Sequence, residues 1–306
     1  MGEHESQLTA PRRYRPPGRG QLWLRRVVGA VVAAGVLGAA GWAGASLLRN
    51  ESSSPPPPTE TEPPLERLRV IFPEGFTRDE MADRVAAVRE IAIERRGVTP
   101  RLTKSGYLRA SASAVPPPAF RKDWGGRSIE GFLFPATYEF SQHTSSAGLV
   151  RDQLAHFREQ WRTVSLRYAR SKNLTPYDVL VIASMVEKEA AVAAERRLVS
   201  AVIYNRLRVG MPLGIDATIR YGRGVPGTEP LKRSDLESDN PYNTRRRLGL
   251  PPTPIANPGR ASIRAAANPA RVDYLFFVRR PNSLRHFFTA SESEFLRKKC
   301  EFGFGC

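Results

Sequence analysis

Two glutamates separated by one residue, Glu187 and Glu189 in the run Val186-Glu187-Lys188-Glu189, are the side chains of this sequence best placed for proton chemistry. They close an apolar run, residues 179–186, that follows a strong helix start: Thr175 as N-cap, Pro176 at the first helical position and Asp178 in the first turn. A helix apolar on nearly all sides is buried. A carboxyl at its end, beside apolar neighbours, has its neutral form favoured by desolvation and is suited to donating a proton. At about 100° per residue the two glutamates lie about 200° apart, so a single cleft faces only one of them. Glu189 continues the stripe of Ile182, Met185 and Val186, and Glu187 that of Leu180, Ala183 and Ser184. Periodicity does not choose between them, and pairing of both with Lys188, Arg196 or Arg197 is the structural alternative.

The elements that must position these groups follow from the same patterns. A second helix over residues 195–209 carries Leu198, Val199, Val202, Ile203 and Leu207 on its apolar side and stops at Gly210, forming a helical hairpin with the first. Upstream, residues 128–135 make an aromatic and glycine turn with Glu130 at its start, followed by strand-like alternation over 137–140. Aromatics near a carboxylate suit a sugar-binding wall, because sugar rings present apolar faces; a plain core cluster serves Phe132 and Phe134 equally well. Downstream come 211–221, a polar stretch with Asp235 and Glu237, the segment Pro241-Tyr242-Asn243-Thr244 and a proline-dense loop over 249–259, whose path proline fixes without regular structure. A last helix over 262–267 precedes a hairpin of 274–278 and 286–289. His286 has no metal-spaced partners, which favours a structural or groove-edge role and gives no metal or cofactor site. Cys300 and Cys306, the two cysteines, exclude a disulfide framework or zinc ribbon and are able to close a small loop or cross-link chains.

The 306 residues, 41% apolar and 25% charged, exclude a mostly disordered chain, and 47 Lys plus Arg against 30 Asp plus Glu leave a formal charge of +17. A surface that basic prefers anionic neighbours: nucleic acid, anionic lipid or a polyanionic wall. Residues 27–48 are uncharged and, as a helix of roughly 33 Å, long enough to cross a bilayer. Residues 1–26 hold six arginines against two glutamates, so the positive-inside rule puts this tail in the cytoplasm and the rest outside. A cleaved signal peptide is the alternative, since Ala43-Gly44-Ala45 fits a small-x-small site, but the apolar run exceeds the usual core of about 7–15 residues. The proline-rich residues 49–66 read as an extended spacer. The topology argues against a nucleic-acid partner. A strand over 68–72, a turn and a helix opened by a Thr77/Glu80 capping box make one strand–helix unit over 67–94; residues 95–127 read as a connecting segment with little regular structure, and 291–306 as a C-terminal tail.

The segments IEGFLFPATYEF, ASMVEKEAAVAAERRLVSAVIYNRLRVGMPLGIDATIRYG, YNTRRRLGLPPTPIANPG and DYLFFV…HFF occur in the order seen in the MltG or YceG-like endolytic murein transglycosylases, which this chain resembles over residues 68–289. The resemblance implies an α+β catalytic domain, here 128–290, behind a single N-terminal transmembrane helix and a LysM-like unit, here 67–94. It implies a lyase that cuts the bond between N-acetylmuramic acid and N-acetylglucosamine in nascent glycan strands without water, closing a 1,6-anhydro ring and ending strand growth at the cell membrane. Its catalytic glutamate corresponds to Glu189, and Glu130, Asp216, Tyr242 and Asn243 become candidates to line the glycan groove or orient Glu189. Partners are then peptidoglycan glycan strands and the membrane, with peptidoglycan synthases a further candidate. Three departures stand out: one LysM-like unit where the family usually has two, Ala136 in place of Asp after Phe-Pro, and Ala217 in place of Pro after Asp216. A usual hydrolase needs two carboxyls, whereas a lytic transglycosylase manages with one because the substrate supplies its own nucleophile. The rival readings are a non-catalytic, membrane-tethered peptidoglycan-binding or scaffold protein, and a true glycoside hydrolase.

Overall fold

The computed structural model describes residues 67–305, which belong to a compact unit, Pro64–Cys306. The basic tail, the expected membrane span of 27–48 and the spacer of 49–66 lie outside the described residues, among which no helix is long and apolar enough to cross a membrane. Sheet and helix mix in the α+β manner. Strand β1 (Leu68–Ile71) leads through a turn into helix α1 (Arg78–Arg96), opened by the expected capping box: Thr77 Oγ1 accepts from the Glu80 amide and the Glu80 carboxylate from the Thr77 amide. Helix α2 (Lys104–Ala112), two single helical turns at Pro118–Phe120 and Arg121–Trp124, and strand β2 (Thr137–Phe140) follow. Then come α3 (Ser146–Arg162), α4 (Pro176–Glu189), α5 (Arg196–Arg208), α6 (Asp216–Arg223), α7 (Arg260–Ala267), the hairpin β3 (Phe276–Arg279) and β4 (His286–Thr289), and α8 (Glu292–Glu301).

The centre is α4. Tyr177 and residues 179–186 are buried without exception, because α5, α6, α7 and the proline-dense loop wrap the helix on all sides. Its start matches expectation: Thr175 Oγ1 accepts from the Asp178 amide and Asp178 Oδ2 from the Thr175 amide. The loop is tied to it by the Ser184 hydroxyl, which accepts from the Ile255 amide at 3.0 Å while donating to Val181 O.

Strand β1 pairs antiparallel with β2, Leu68 opposite Phe140 and Ile71 opposite Thr137, so the strand–helix unit shares one core with everything after it. The segment 95–127 departs from expectation. It holds α2, capped by Thr103, whose Tyr107 is buried with its hydroxyl donating to Gln153 on α3 at 2.7 Å; Phe120 packs edge-on against Phe132 at 5.0 Å. A helix rich in Ser, Arg and Lys is invisible to apolar periodicity when one tyrosine and one back-bonded serine make most of its buried face. Likewise residues 291–306 are no plain tail: Ser291 caps α8, and Phe295 stacks on Phe276 at 5.1 Å. Cys300, on that helix, is disulfide-bonded. His286 is structural, as expected: its Nδ1 lies 2.8 Å from a carboxylate oxygen of buried Glu195, which also accepts from the His286 amide.

Candidate active site

The last turn of α4 sends its three polar side chains in three directions, realising the angular separation of the two glutamates. Glu187 turns inward: one oxygen accepts from the Gly259 amide at the start of α7, at 2.9 Å, and the other lies 3.6 Å from Arg196. Lys188 reaches the Gly75 carbonyl at 3.3 Å. Glu189 opens into a cleft of about 790 Å³ walled by the start of α1, Glu130, helix α6 and Tyr242.

Glu189 meets the first turn of α6, where the Ala217 amide donates to its carboxylate. Ile215, at the N-cap of that helix, has no side chain able to cap it, so Glu189 serves that end from another element. A helix N-terminus favours the charged form. Burial and, after it, the neighbouring Asp216 carboxylate outweigh this and push Glu189 up to about 7. The residue keeps partial exposure at the cleft, as a group exchanging protons with a ligand must. Asp216 is itself paired: Arg245 Nε and Nη2 donate to its Oδ1 at 2.9 and 2.7 Å, with both side chains about half exposed.

Glu130 lines the same cleft but is spent on structure. The Arg78 amide, at the start of α1, donates to both its oxygens at 3.0 and 3.1 Å, Asn257 Nδ2 donates at 2.6 Å and the Tyr221 hydroxyl at 3.3 Å. Burial nonetheless raises it to about 7 against these donors. Asn257 completes the clasp, since its Oδ1 accepts from the Gly131 and Leu133 amides. Gly131 has φ +90°, and a Cβ there would lie 2.6 Å from Pro254, so only glycine lets the turn close on the loop.

Tyr242 stands on the wall edge-on to Tyr221 at 5.1 Å, its hydroxyl sharing a 2.7 Å hydrogen bond with Thr253. Asn243, a candidate for the groove, is not in it. It is fully buried, its amide donates to Leu236 O and Ser238 O, and its Oδ1 accepts from the Arg245 amide. With every polar atom committed to the loop it anchors, it has nothing to offer a ligand. Its contact with the Arg245 backbone links it to Asp216 only at one remove.

The structure brings Glu130, Glu189, Asp216 and Tyr242 together and adds Tyr221, Arg78 and Arg220. Tyr221 was within reach of the sequence, since on α6 it follows Ala217 by four residues and shares its face. Arg78 acts on Glu130 through its amide, which no side-chain pattern encodes.

The other carboxylates lining the cleft are all engaged: Asp79 with Arg78, Glu80 in its capping box, Glu130 in its clasp and Asp216 with Arg245. Glu189, among the described residues, is held by a backbone amide alone. Glu189 thus faces, partly exposed, a groove with an aromatic wall, its carboxyl pushed up to about 7.

Known proteins resemble this chain over much of its length. An endolytic murein transglycosylase from Bacillus subtilis is 38% identical over 155 residues, covering 50% of this chain and 42% of the relative. One from Streptococcus pneumoniae strain R6 is 33% identical over 232 residues, covering 71% and 41%. The chain thus spans about two fifths of the length of these relatives. A crystal structure of a YceG-like protein from Listeria monocytogenes matches with a TM-score of 0.60 and 29% identity, covering 76% of both chains. The family model matches residues 52–301, and the chain belongs to the YceG-like family.

Proposed function

We propose that this chain is an endolytic peptidoglycan lytic transglycosylase, with Glu189 as its catalytic residue. The supporting observation is that Glu189, which has no side-chain partner among the described residues, opens partly exposed into the cleft with its carboxyl pushed up to about 7. The curated relatives carry the activity in their names. In its neutral form the carboxyl donates its proton to the bridging oxygen as the bond from the muramic C1 to that oxygen breaks. The C6 hydroxyl of the same sugar then bonds to C1 and returns its proton to Glu189, so the carboxyl ends as it began and no water is consumed. Tyr221 and Tyr242 offer aromatic surface to the apolar faces of the sugars, while Asp216, fixed by Arg245, keeps the proton on Glu189. Residues 27–48 would tether the enzyme with its N-terminus in the cytoplasm, confining cleavage to strands near the membrane.

The test is product analysis of purified Pro64–Cys306 acting on isolated glycan strands. Anhydromuramyl ends are expected, with release reduced about 10²–10⁴-fold in Glu189→Gln. Reducing ends, heavier by one water, would instead identify a hydrolase. Absence of cleavage by the unaltered protein would leave a tethered scaffold.

A further inference from the structure

A second cavity, of about 800 Å³, shares no lining residue with the cleft. It sits at the opposite end of α4, where Asp178 lines it. Eleven residues separate Asp178 from Glu189, which is about 16 Å of helix and about 20° past three whole turns, so both project from the same side of α4. The floor is aromatic: Tyr168 and Tyr204 meet at 5.5 Å, with the Tyr204 hydroxyl fixed on the Ala266 carbonyl at 2.8 Å.

The rim carries charges of both signs. Lys172 lies over the Tyr168 ring at 5.7 Å, Arg208 projects from the end of α5, and Arg271 and Asp273 stand on the facing wall. Among the described residues none of these four is in an ion pair, although they face one cavity. The wall that presents Arg271 and Asp273 is built rather than loose. Asn205 Nδ2 donates to Val272 O and Tyr274 O at 2.8 and 2.9 Å, Arg197 donates to Asn268 O and Pro269 O, and the Ala270 amide bonds the Arg197 carbonyl. Polar groups of α5 are thereby consumed in holding a segment whose own charged side chains are left open to the cavity.

We propose that this cavity binds a short zwitterionic peptide, the stem that a glycan strand carries on its muramic residues. Unpaired cations match the carboxylates of such a peptide, an unpaired carboxylate matches its amine, and the tyrosine floor takes its aliphatic stems. The peptide's identity rests on the activity proposed above. Seated on the same side of α4 as Glu189 and about 16 Å from it, the site makes cleavage depend on peptides carried away from the bond being cut, without taking part in the chemistry.

Two measurements separate this proposal from the activity it rests on. Calorimetric titration with synthetic L-alanyl-γ-D-glutamyl-diaminopimelate needs no cleavage. Saturable binding is expected, unchanged in Glu189→Gln and weakened at least about tenfold in Arg208→Glu/Arg271→Glu, since each position removes a charge-assisted contact. No saturable binding at millimolar peptide, or equal binding by the double variant, overturns the proposal. In the second measurement, strands bearing peptides are compared with strands stripped of them by an amidase. The unaltered protein should cut the former faster, and the ratio should fall to about one in the double variant, with Lys172→Glu moving it the same way. A ratio of one in the unaltered protein, or a variant that slows both substrates equally, also overturns it. Failure to cut either substrate would refute the transglycosylase reading while leaving the titration to judge the peptide site.

Discussion

Glu189 is raised to about 7 because burial and then Asp216 keep the proton on more strongly than the Ala217 amide draws it off. A carboxyl that must first give a proton and then recover it works best near that balance. The sign of the pH dependence follows. On the proposed mechanism the free protein acts through the protonated form, so kcat/KM should be level below about 7 and fall as pH rises past it. Replacing Asp216 by Asn removes a negative neighbour, which makes ionisation of Glu189 easier and moves the break to lower pH. An Asp216→Asn profile that breaks at the same or higher pH would detach Asp216 from this role.

The element that matters most is α4, and its last turn divides labour between two glutamates of identical type. Glu187 anchors the helix end to α7 through the Gly259 amide and Arg196, while Glu189 is an ionisable group kept in a poorly solvated place. Their isosteric variants should therefore behave oppositely in thermal melts at pH 8. Glu187→Gln leaves Arg196 without its carboxylate and should destabilise by about 1–3 kcal/mol. Glu189→Gln removes a charge that burial disfavours, and should be neutral to stabilising while cleavage is lost. Melts that move in the same direction would show that both glutamates are structural. Periodicity alone did not choose between the two residues, because each continues a stripe of the buried helix. What separates them is the placement of Gly259 and Ala217, 72 and 28 positions away in the chain, and no local pattern carries that information.

At the scale of the whole molecule, β1 lies about 70 residues from its partner β2 in sequence, and Val70 and Phe72 sit in the same core as the buried residues of α4. The strand–helix unit is thus a structural part of the body that holds the cleft. Its α1 presents the Arg78 amide to Glu130, and its Thr77 to Glu80 face walls the cleft. Deleting residues 1–73, which removes β1, should abolish the cooperative melt and the near-UV circular dichroism signal, beyond any loss of wall binding; a folded product would show β1 to be dispensable to the core. Short-range physics was enough to place α4, α5, α7 and the C-terminal hairpin, because capping boxes, a glycine stop and apolar runs are written within a dozen residues. It was also enough to single out Glu187 and Glu189 as the proton-bearing pair, whereas Glu130, Asp216 and Tyr242 entered as neighbours only through the family resemblance. It could not place α2, whose buried face is too sparse to show as a stripe, nor remove Asn243 from the groove, since an asparagine that binds sugar and one that braces a loop look alike in one dimension. Which glutamate met the cleft was decided by packing. Burial, the Asp216 charge and the Ala217 amide act on Glu189 through space, and their sum exists only after α6 has closed on the end of α4.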